Sequence, residues 1–434
     1  MQRVSLYGEP HWAFMFVSMK FVVDLRGLLC QCALGLFKSE RIAHKFPLVS
    51  GLSNKFGDVF QMTAVVEAVD LFCGAGGLSY GLLKAGVIVR AGLDFDGKCE
   101  FPFTENIVGA KFVKEDLSQT RSELVESFYT EQNIRLLAGC APCQPFSTLS
   151  NGTDRQKSKK WPLLNEFTRL VRDVRPDLVT MENVPTLRKQ TIFQSFVAEL
   201  EDLGFFVSHS IVDAFDYGVP QRRKRLVLLA SRYAPVRLLS PAELGVERKT
   251  VRDVIAHLPE IEAGGTYAED PLHKARAFSE INLERIRASR PGGTWKDWPE
   301  SLLLACHKKT TGETFKSVYG RMEWDKPAST MTTQSMNFGT GRYGHPEQDR
   351  ALSLREMAIL QSFPPHYKFA KDAESINFSS IGRLIGNAVP VDLGYAIGFS
   401  LMQHARHHGG VNAGSDARPA AGFSGECESE RLSV

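Results

Sequence analysis

From Val65 onward, short runs rich in β-branched residues and leucine alternate with longer amphipathic stretches, and few folds accept a chain with that rhythm. The runs are too apolar to face water on either side. They need cover on both faces, as the strands of a parallel sheet with helical crossovers do. Val65–Phe72, Val87–Leu93, Phe112–Val113, Ile134–Ala138 and Leu178–Met181 are expected strands, with two more at Phe205–Val212 and Leu226–Ala230. Leu78–Ala85, Phe167–Val174 and Phe193–Leu203 are expected helices. The fold class is therefore α/β, with a doubly wound, mostly parallel sheet whose chemistry collects at the carboxyl ends of its strands. After about Arg232 the alternation fades into Gly264-Gly265, Gly292-Gly293, Trp295, Trp298, His307-Lys308-Lys309 and scattered arginines. That stretch is expected to be a smaller second domain, irregular and β-rich. Helical periodicity returns at Leu354–Gln361 and Val391–His404, and Gly409–Val434 has the composition of a disordered tail.

Composition narrows the classes of function. Of 434 residues, 43% are hydrophobic and 23% charged, which excludes a disordered chain and leaves ample material for a large core. Lysine and arginine total 52 against 49 acidic residues, and a net charge of +3 is too small to announce a nucleic-acid binder, so local clusters must decide. Eight cysteines, at 30, 32, 73, 99, 140, 143, 306 and 427, are too sparse and irregular for a disulfide framework. A reducing compartment, the cytoplasm, is expected. Trp12–Phe37 is apolar, but Lys20, Asp24 and Arg26 interrupt it, and its longest uncharged piece, Gly27–Phe37, falls short of the ~20 residues a bilayer span needs. No membrane association is expected. Met62 leads within a few residues into the first strand, so it reads as the working start, with residues 1–61 an upstream extension.

Four motifs fall at expected strand ends. Asp70-Leu-Phe-Cys-Gly74-Ala-Gly76-Gly77 runs from a strand through a glycine turn into a helix, where backbone can approach a ligand and helix N–H groups are unpaired. It is not Gly-x-Gly-x-x-Gly, yet with the acidic Asp94 ending the next strand it suits a nucleoside cofactor. Gly139-Cys140-Ala-Pro142-Cys143-Gln144-Pro145 follows the fourth strand. Its cysteines could be a redox pair, half of a zinc site, two buried thiols or the place of a nucleophile; no second Cys-x-x-Cys or His pair completes a metal set, and no metal is expected. Glu182-Asn183-Val184 ends the fifth strand beside that loop, and Gln221-Arg222-Arg223-Lys224-Arg225 precedes another strand, where alternation sends Arg223 and Arg225 to one face. Beside a cysteine and a glutamate, the basic run reads as the wall of a charge-bearing site.

Taken in order, these motifs resemble the bacterial-type S-adenosylmethionine-dependent DNA (cytosine-5) methyltransferases. The resemblance runs from about Val65 to His404 and includes the glycine turn, Asp94, Asp116, Pro142-Cys143-Gln144, Glu182-Asn183-Val184 and Gln221-x-Arg223-x-Arg225. It continues from Arg321 through Lys326-Pro-Ala-Ser-Thr-Met-Thr-Thr333 to Ile385-Gly-Asn387-Ala-Val-Pro390. It implies a Rossmann-like catalytic domain in two parts, 62–235 and 351–408, around a target-recognition domain at 236–350, with a tail at 409–434. Monomeric and cytoplasmic, the enzyme would act on double-stranded DNA, with S-adenosylmethionine as methyl donor and a cognate restriction endonuclease as a possible companion.

The resemblance also assigns roles. Cys143 becomes the nucleophile toward carbon 6 of a flipped-out cytosine, Glu182 the acid at N3, and Arg225, supported by Arg223, the clamp on O2. Phe72, Gly74, Gly76, Gly77, Asp94, Phe95, Asp116, Asn387 and Val389 become the cofactor shell, and the last helix should pack back onto the first domain. Asn387 could equally cap that helix. The cationic stretch Ser147–Lys160 becomes a lid on the phosphate backbone, and 236–350 the source of base contacts, with His307, Lys308 and Lys309 unranked among them. A transfer-RNA methyltransferase branch shares the motifs, but its Cys-Phe-Thr signature is absent where this chain has Cys306-His307-Lys308. A silent DNA-reading module would have damaged site residues, and here they match.

Overall fold

The computed structural model describes residues 64–142, 162–309 and 314–409. Cys143, the Ser147–Lys160 stretch, the 1–61 extension and the tail from 410 lie outside the described residues.

Seven strands form one sheet in the order β3-β2-β1-β4-β5-β7-β6. They are β1 (Val66–Leu71), β2 (Ile88–Asp94), β3 (Lys111–Lys114), β4 (Ile134–Gly139), β5 (Leu178–Asn183), β6 (Phe206–Asp213) and β7 (Lys224–Ser231). β1 pairs in parallel with both β2 and β4, so the chain order reverses there and opens a crevice at the carboxyl ends. β7 runs antiparallel between β5 and β6. Every residue of β1 is buried; Val66 and Ala68 face one core layer, Val69 and Leu71 the other. Glu67 is tolerated there because its carboxylate accepts from Thr130 N, Thr130 Oγ1, Asn133 Nδ2 and Arg90 Nε.

Helices cover both faces. On one, α1 (Gly77–Lys84) packs against the last helix; on the other lie helices at Pro162–Val174 and Thr191–Asp202. Leu164, Phe167, Leu170, Val171 and Val174 recur at helical spacing to form the buried stripe of the former. The expected strands and helices therefore reappear with ends shifted by a few residues. Helices at Glu100–Asn106 and Phe378–Asn387 were not expected: Pro102 disguises the first, although a proline in an opening turn costs no intrahelical bond.

We label α2 (Phe378–Asn387) and α3 (Val391–His408), which carry the chain back to its beginning. α1 and α3 cross at glycines: a Cβ on Gly81 would lie 2.5 Å from the Gly394 carbonyl carbon, and one on Gly398 2.8 Å from Ala85 Cβ. Phe378–His408 is apolar enough to cross a membrane, but 78% of its most apolar stretch is buried here, so its apolarity serves the core.

The 236–350 stretch is irregular, but its regular strand content is only the pair Thr266–Tyr267 and Asp270–Lys274, alongside short helices such as Glu280–Ala288. β-rich it is not, among the described residues. Its boundary at 350 is also not a packing boundary: Met322, Ala328, Met331 and Met336 share one core cluster with Leu354, Met357, Leu360 and Ile385. Ala328 exchanges backbone hydrogen bonds with Pro220 and Arg222, so the packing of the closing segment extends to residues before 351. His307 is buried, stacked on Trp295 at 4.3 Å and flanked by Trp298 and Tyr319, which removes it from the base-reading candidates.

Irregular backbone lacks ladder partners, and buried arginines supply them. Arg321 donates to the carbonyls of Ile286, Ser289, His345 and Gln348. Arg350, fully buried, reaches the carbonyls of Ile261 and Ala351 and forms a bidentate pair with Glu356 at 2.7 Å on both arms. Burial opposes the charge on Glu356, but Arg350 overrides it and holds the carboxyl down at about 2. A carboxyl depressed below its ordinary 4.5 stabilises the fold at neutral pH and loses that contribution as pH falls from about 4.5 toward 2. Glu356→Ala, which leaves Arg350 charged and unpaired, is expected to cost about 3–5 kcal/mol in urea unfolding at pH 7, whereas Arg350→Met with Glu356→Leu costs less. Equal losses in the two variants would refute this.

Candidate active site

The glycine turn leaves β1 through Phe72, whose φ of 60° is a strained left-handed conformation for a non-glycine residue. Gly74 and Gly76 follow at φ 54° and 87°, and a side chain on Gly74 would meet nothing within 4 Å, so open space lies beside the turn. Gly77 is needed for the opposite reason. A Cβ there would sit 2.2 Å from the Val389 carbonyl oxygen, so the closing segment rests directly on the start of α1. The Tyr367 hydroxyl, fully buried, donates to the Ala75 carbonyl and holds the turn from the same side.

Asp94, at the end of β2, accepts from Gly74 N and Asp96 N, both at 2.9 Å, and this ties β2 to the turn. Burial pushes its carboxyl above the usual range despite those two hydrogen bonds. Asp70 is wholly buried; Ser79 Oγ donates to its Oδ2 at 2.6 Å, while Oδ1 has no hydrogen-bond partner among the described residues. Burial, with Asp94 adding to it, lifts Asp70 to about 7 against the Ser79 hydrogen bond. Phe95 is 71% exposed at the rim, an apolar ring free to take a flat partner. Asp116 follows β3, where Glu115 N reaches the Asp94 carbonyl, and its carboxylate accepts from Ser118 N and Oγ. Three strand ends thus bring Phe72, Asp94, Phe95 and Asp116 around one crevice. An orphaned buried carboxylate oxygen, the unfilled space at Gly74 and an open aromatic ring fit a cationic nucleoside cofactor.

Asn387 is exposed and ends α2, while Pro390 occupies the cap position of α3. The helix-cap alternative for Asn387 is therefore not what the chain does. Its neighbour Val389 is buried with its carbonyl against Gly77.

The second half of the site lies on β4, β5 and β7. Asn183 Nδ2 donates to the Ala141 carbonyl at 2.9 Å and holds the loop after β4 against the end of β5. Glu182, buried, faces Val227 across the antiparallel β5–β7 pair, so Arg225, two residues along β7, shares its face. Arg225 Nε lies 2.9 Å from Glu182 Oε1 as an ion pair. The other oxygen, Oε2, accepts from Cys140 Sγ at 3.1 Å. Cys140 thus belongs to the cluster, a contact that spacing within its own motif does not reveal because the partner lies on another strand.

Arg223 does not join Arg225. It is buried, and its guanidinium donates to the carbonyls of Met331, Gly386 and Ala388. Alternation holds for the backbone, but Arg223 lies just before β7, where its side chain meets the closing segment instead of β5. Gln221, also fully buried, donates to Leu360 O and Gln361 Oε1 and accepts from Met331 N. Of the Gln221-x-Arg223-x-Arg225 motif, two members tie the closing segment down and one reaches the carboxylate.

With this geometry in place, a family model for C-5 cytosine-specific DNA methylases matches residues 66–403. The chain belongs to the C-5 cytosine-specific DNA methylase family. This methylase is 46% identical over 342 residues to the Type II methylase M.HgiDII of Herpetosiphon aurantiacus, a match covering 78% of this chain and 96% of that one. It is 30% identical over 344 residues to the Type II methyltransferase M1.HphI of Haemophilus parahaemolyticus, covering 77% and 86%. Among solved structures, a protein described as a DNA modification methyltransferase encoded within an E. coli prophage aligns with a TM-score of 0.61 at 21% identity, over 78% of this chain and 99% of that one, a likeness of fold. The protein is a DNA cytosine-5 methyltransferase.

If Arg223 is a tie in this methylase, Arg223→Lys is expected to lower stability to urea by about 1–3 kcal/mol, because an ammonium cannot serve three carbonyls in the guanidinium plane. Methyl transfer should fall with it. Unchanged unfolding would show that the bonds contribute nothing to the fold.

Proposed function

We propose that this methylase transfers a methyl group from S-adenosylmethionine to carbon 5 of a cytosine extruded from a specific duplex DNA sequence, through a covalent bond between Cys143 and carbon 6. The observation that carries this reading is the Glu182 carboxylate held between Arg225 and Cys140, on the strand next to the loop that leads into Cys143.

Carbon 5 of cytosine is too weak a nucleophile to take a methyl group unaided. Addition of the Cys143 thiolate to carbon 6 pushes an electron pair toward N3, where Glu182, in its protonated form, donates a hydrogen bond or proton. Arg225 fixes O2 and balances the developing charge. S-adenosylmethionine, when bound, supplies an electrophilic methyl group on a sulfonium. Around it, Asp94 is suited to the ribose hydroxyls, Phe95 to the face of the adenine and Asp116 to its amine, with Gly74, Gly76 and Gly77 admitting the amino-acid end. Once carbon 5 is methylated, a base takes its proton, the C–H electron pair restores the double bond between carbons 5 and 6, and Cys143 leaves as the thiolate. A base inside a duplex is out of reach of such a site, so extrusion at a cost of a few kcal/mol is part of the reading, with Ser147–Lys160 as the segment that closes over the backbone.

The named relatives are Type II methylases, which supports a restriction-modification setting with an endonuclease cutting the same site. Base selectivity is assigned to the exposed side chains of 236–350, and the working form is a cytoplasmic monomer.

Cys143→Ser is expected to abolish transfer of labelled methyl groups to mixed-sequence duplex DNA while S-adenosylmethionine still binds; turnover equal to wild type would end this reading. Duplex DNA carrying 5-fluorocytosine should trap the wild-type protein covalently, because the proton that must leave is replaced, and the adduct should be absent in Cys143→Ser. Glu182→Gln is expected to lower kcat about 10²-fold or more in single-turnover assays. Total tRNA assayed beside duplex DNA should accept no methyl groups.

A further inference from the structure

A polar pocket of about 350 Å³ runs along α2, outside the cluster around Glu182. Its wall holds two cations, Lys98 and Arg383, three hydroxyls, Thr333, Ser379 and Ser380, and the amides of Gln334, Asn377 and Asn387, the last of which borders the expected cofactor shell. Asp96, close by, is already paired with Arg383, and among the described residues no aromatic or aliphatic side chain lines the pocket. Ser380 N is capped by the Asn377 side chain, whereas the N–H groups of Phe378 and Ser379 precede the first intrahelical acceptor of this ten-residue helix and add partial positive charge at the same end. A wall of donors without a stacking surface rejects a base or an adenine. It suits a compact, hydrated anion.

Its position narrows the choice further. A Cβ on Gly386 would lie 2.3 Å from the Thr332 carbonyl carbon, so the Thr333 wall and α2 are locked together. Arg223 binds the carbonyls of Met331, Gly386 and Ala388, and so fastens both walls to the strand that carries Arg225. An anion in this pocket is therefore held by the same scaffold that orients the catalytic side chains. We propose that the pocket takes a backbone phosphodiester of the duplex near the target nucleotide, with Lys98 as its principal counter-charge. The inference rests on the duplex-DNA reading above and adds to it a phosphate subsite that fixes the register of the DNA relative to Glu182 and Arg225.

The test compares the wild-type chain with Lys98→Ala and with Ser379→Ala/Ser380→Ala, all exposed or half-exposed positions whose loss leaves the core intact. Duplex DNA binding is measured over a salt series. The slope of log affinity against log salt is expected to fall by about 0.9 in Lys98→Ala, the value for one phosphate contact, while S-adenosylmethionine affinity by calorimetry stays at the wild-type value. Single neutral methylphosphonate linkages moved along each strand near the target should reveal one position that weakens the wild type and leaves Lys98→Ala unaffected. An unchanged slope in both variants overturns the proposal. So does a loss confined to S-adenosylmethionine affinity, which would give the pocket to the donor's carboxylate. A wild-type chain that neither binds nor methylates duplex DNA would overturn the functional reading itself, and this subsite with it.

Discussion

Backbone meets backbone where the end of the chain closes on its beginning. The Val389 carbonyl rests on Gly77 and Gly394 crosses Gly81 with no side chain between them, and Gly398 makes room for the side chains of Leu82 and Ala85. The crevice beside the glycine turn has a far wall only because of this contact, since α2, Asn387 and Val389 reach β1 through it. Such close approach buries carbonyls that need donors, and the chain provides them by side chain: Arg223 for Met331, Gly386 and Ala388, Gln361 for Ile385 and Ala388, Tyr367 for Ala75. Remove the glycines and the walls part; remove the donors and the closure costs more than it returns.

The same accounting explains the irregular stretch. With one two-stranded sheet among its described residues to satisfy its backbone, it relies on Arg321 and Arg350, each bonded to several carbonyls, and on the Arg350–Glu356 pair that links it to the helix at Leu354–Leu360. Arginine suits this work because its planar fork keeps five donors in fixed directions. A segment held this way has its backbone groups satisfied without regular elements.

Where β5 meets β4 and β7, the carboxylate of Glu182 is shared by unlike partners, a guanidinium on one oxygen and a thiol on the other. The guanidinium is a strong, fixed donor, and the thiol is a weak one. Asp70 and Asp94 set up a second unbalanced arrangement at the glycine turn, one buried and one partly buried carboxyl with no cation bonded to them among the described residues. Both arrangements leave charge to be completed by what binds.

Much of this was legible in the residue order. The βαβ rhythm dictated the parallel core of the sheet, because strands apolar on both faces have no other stable cover, and the motifs fell at strand ends because turns there are free to carry polar residues. Local order could not decide which members of a motif face the site. Arg223 and Arg225 share a face by alternation, yet one meets the closing segment and the other meets Glu182, a difference set by a strand pairing and a segment more than a hundred residues away. Cys140, Gln221 and His307 were hidden in the same way, each taking its role from a partner distant in sequence or packed from another element. The sequence by itself determined the elements, their core faces and the chemistry available at the strand ends, since these follow from periodicity and side-chain type. Only the tertiary structure decided which of those groups meet, because contact depends on register and on close approach of backbones, and neither is encoded within a single stretch of chain.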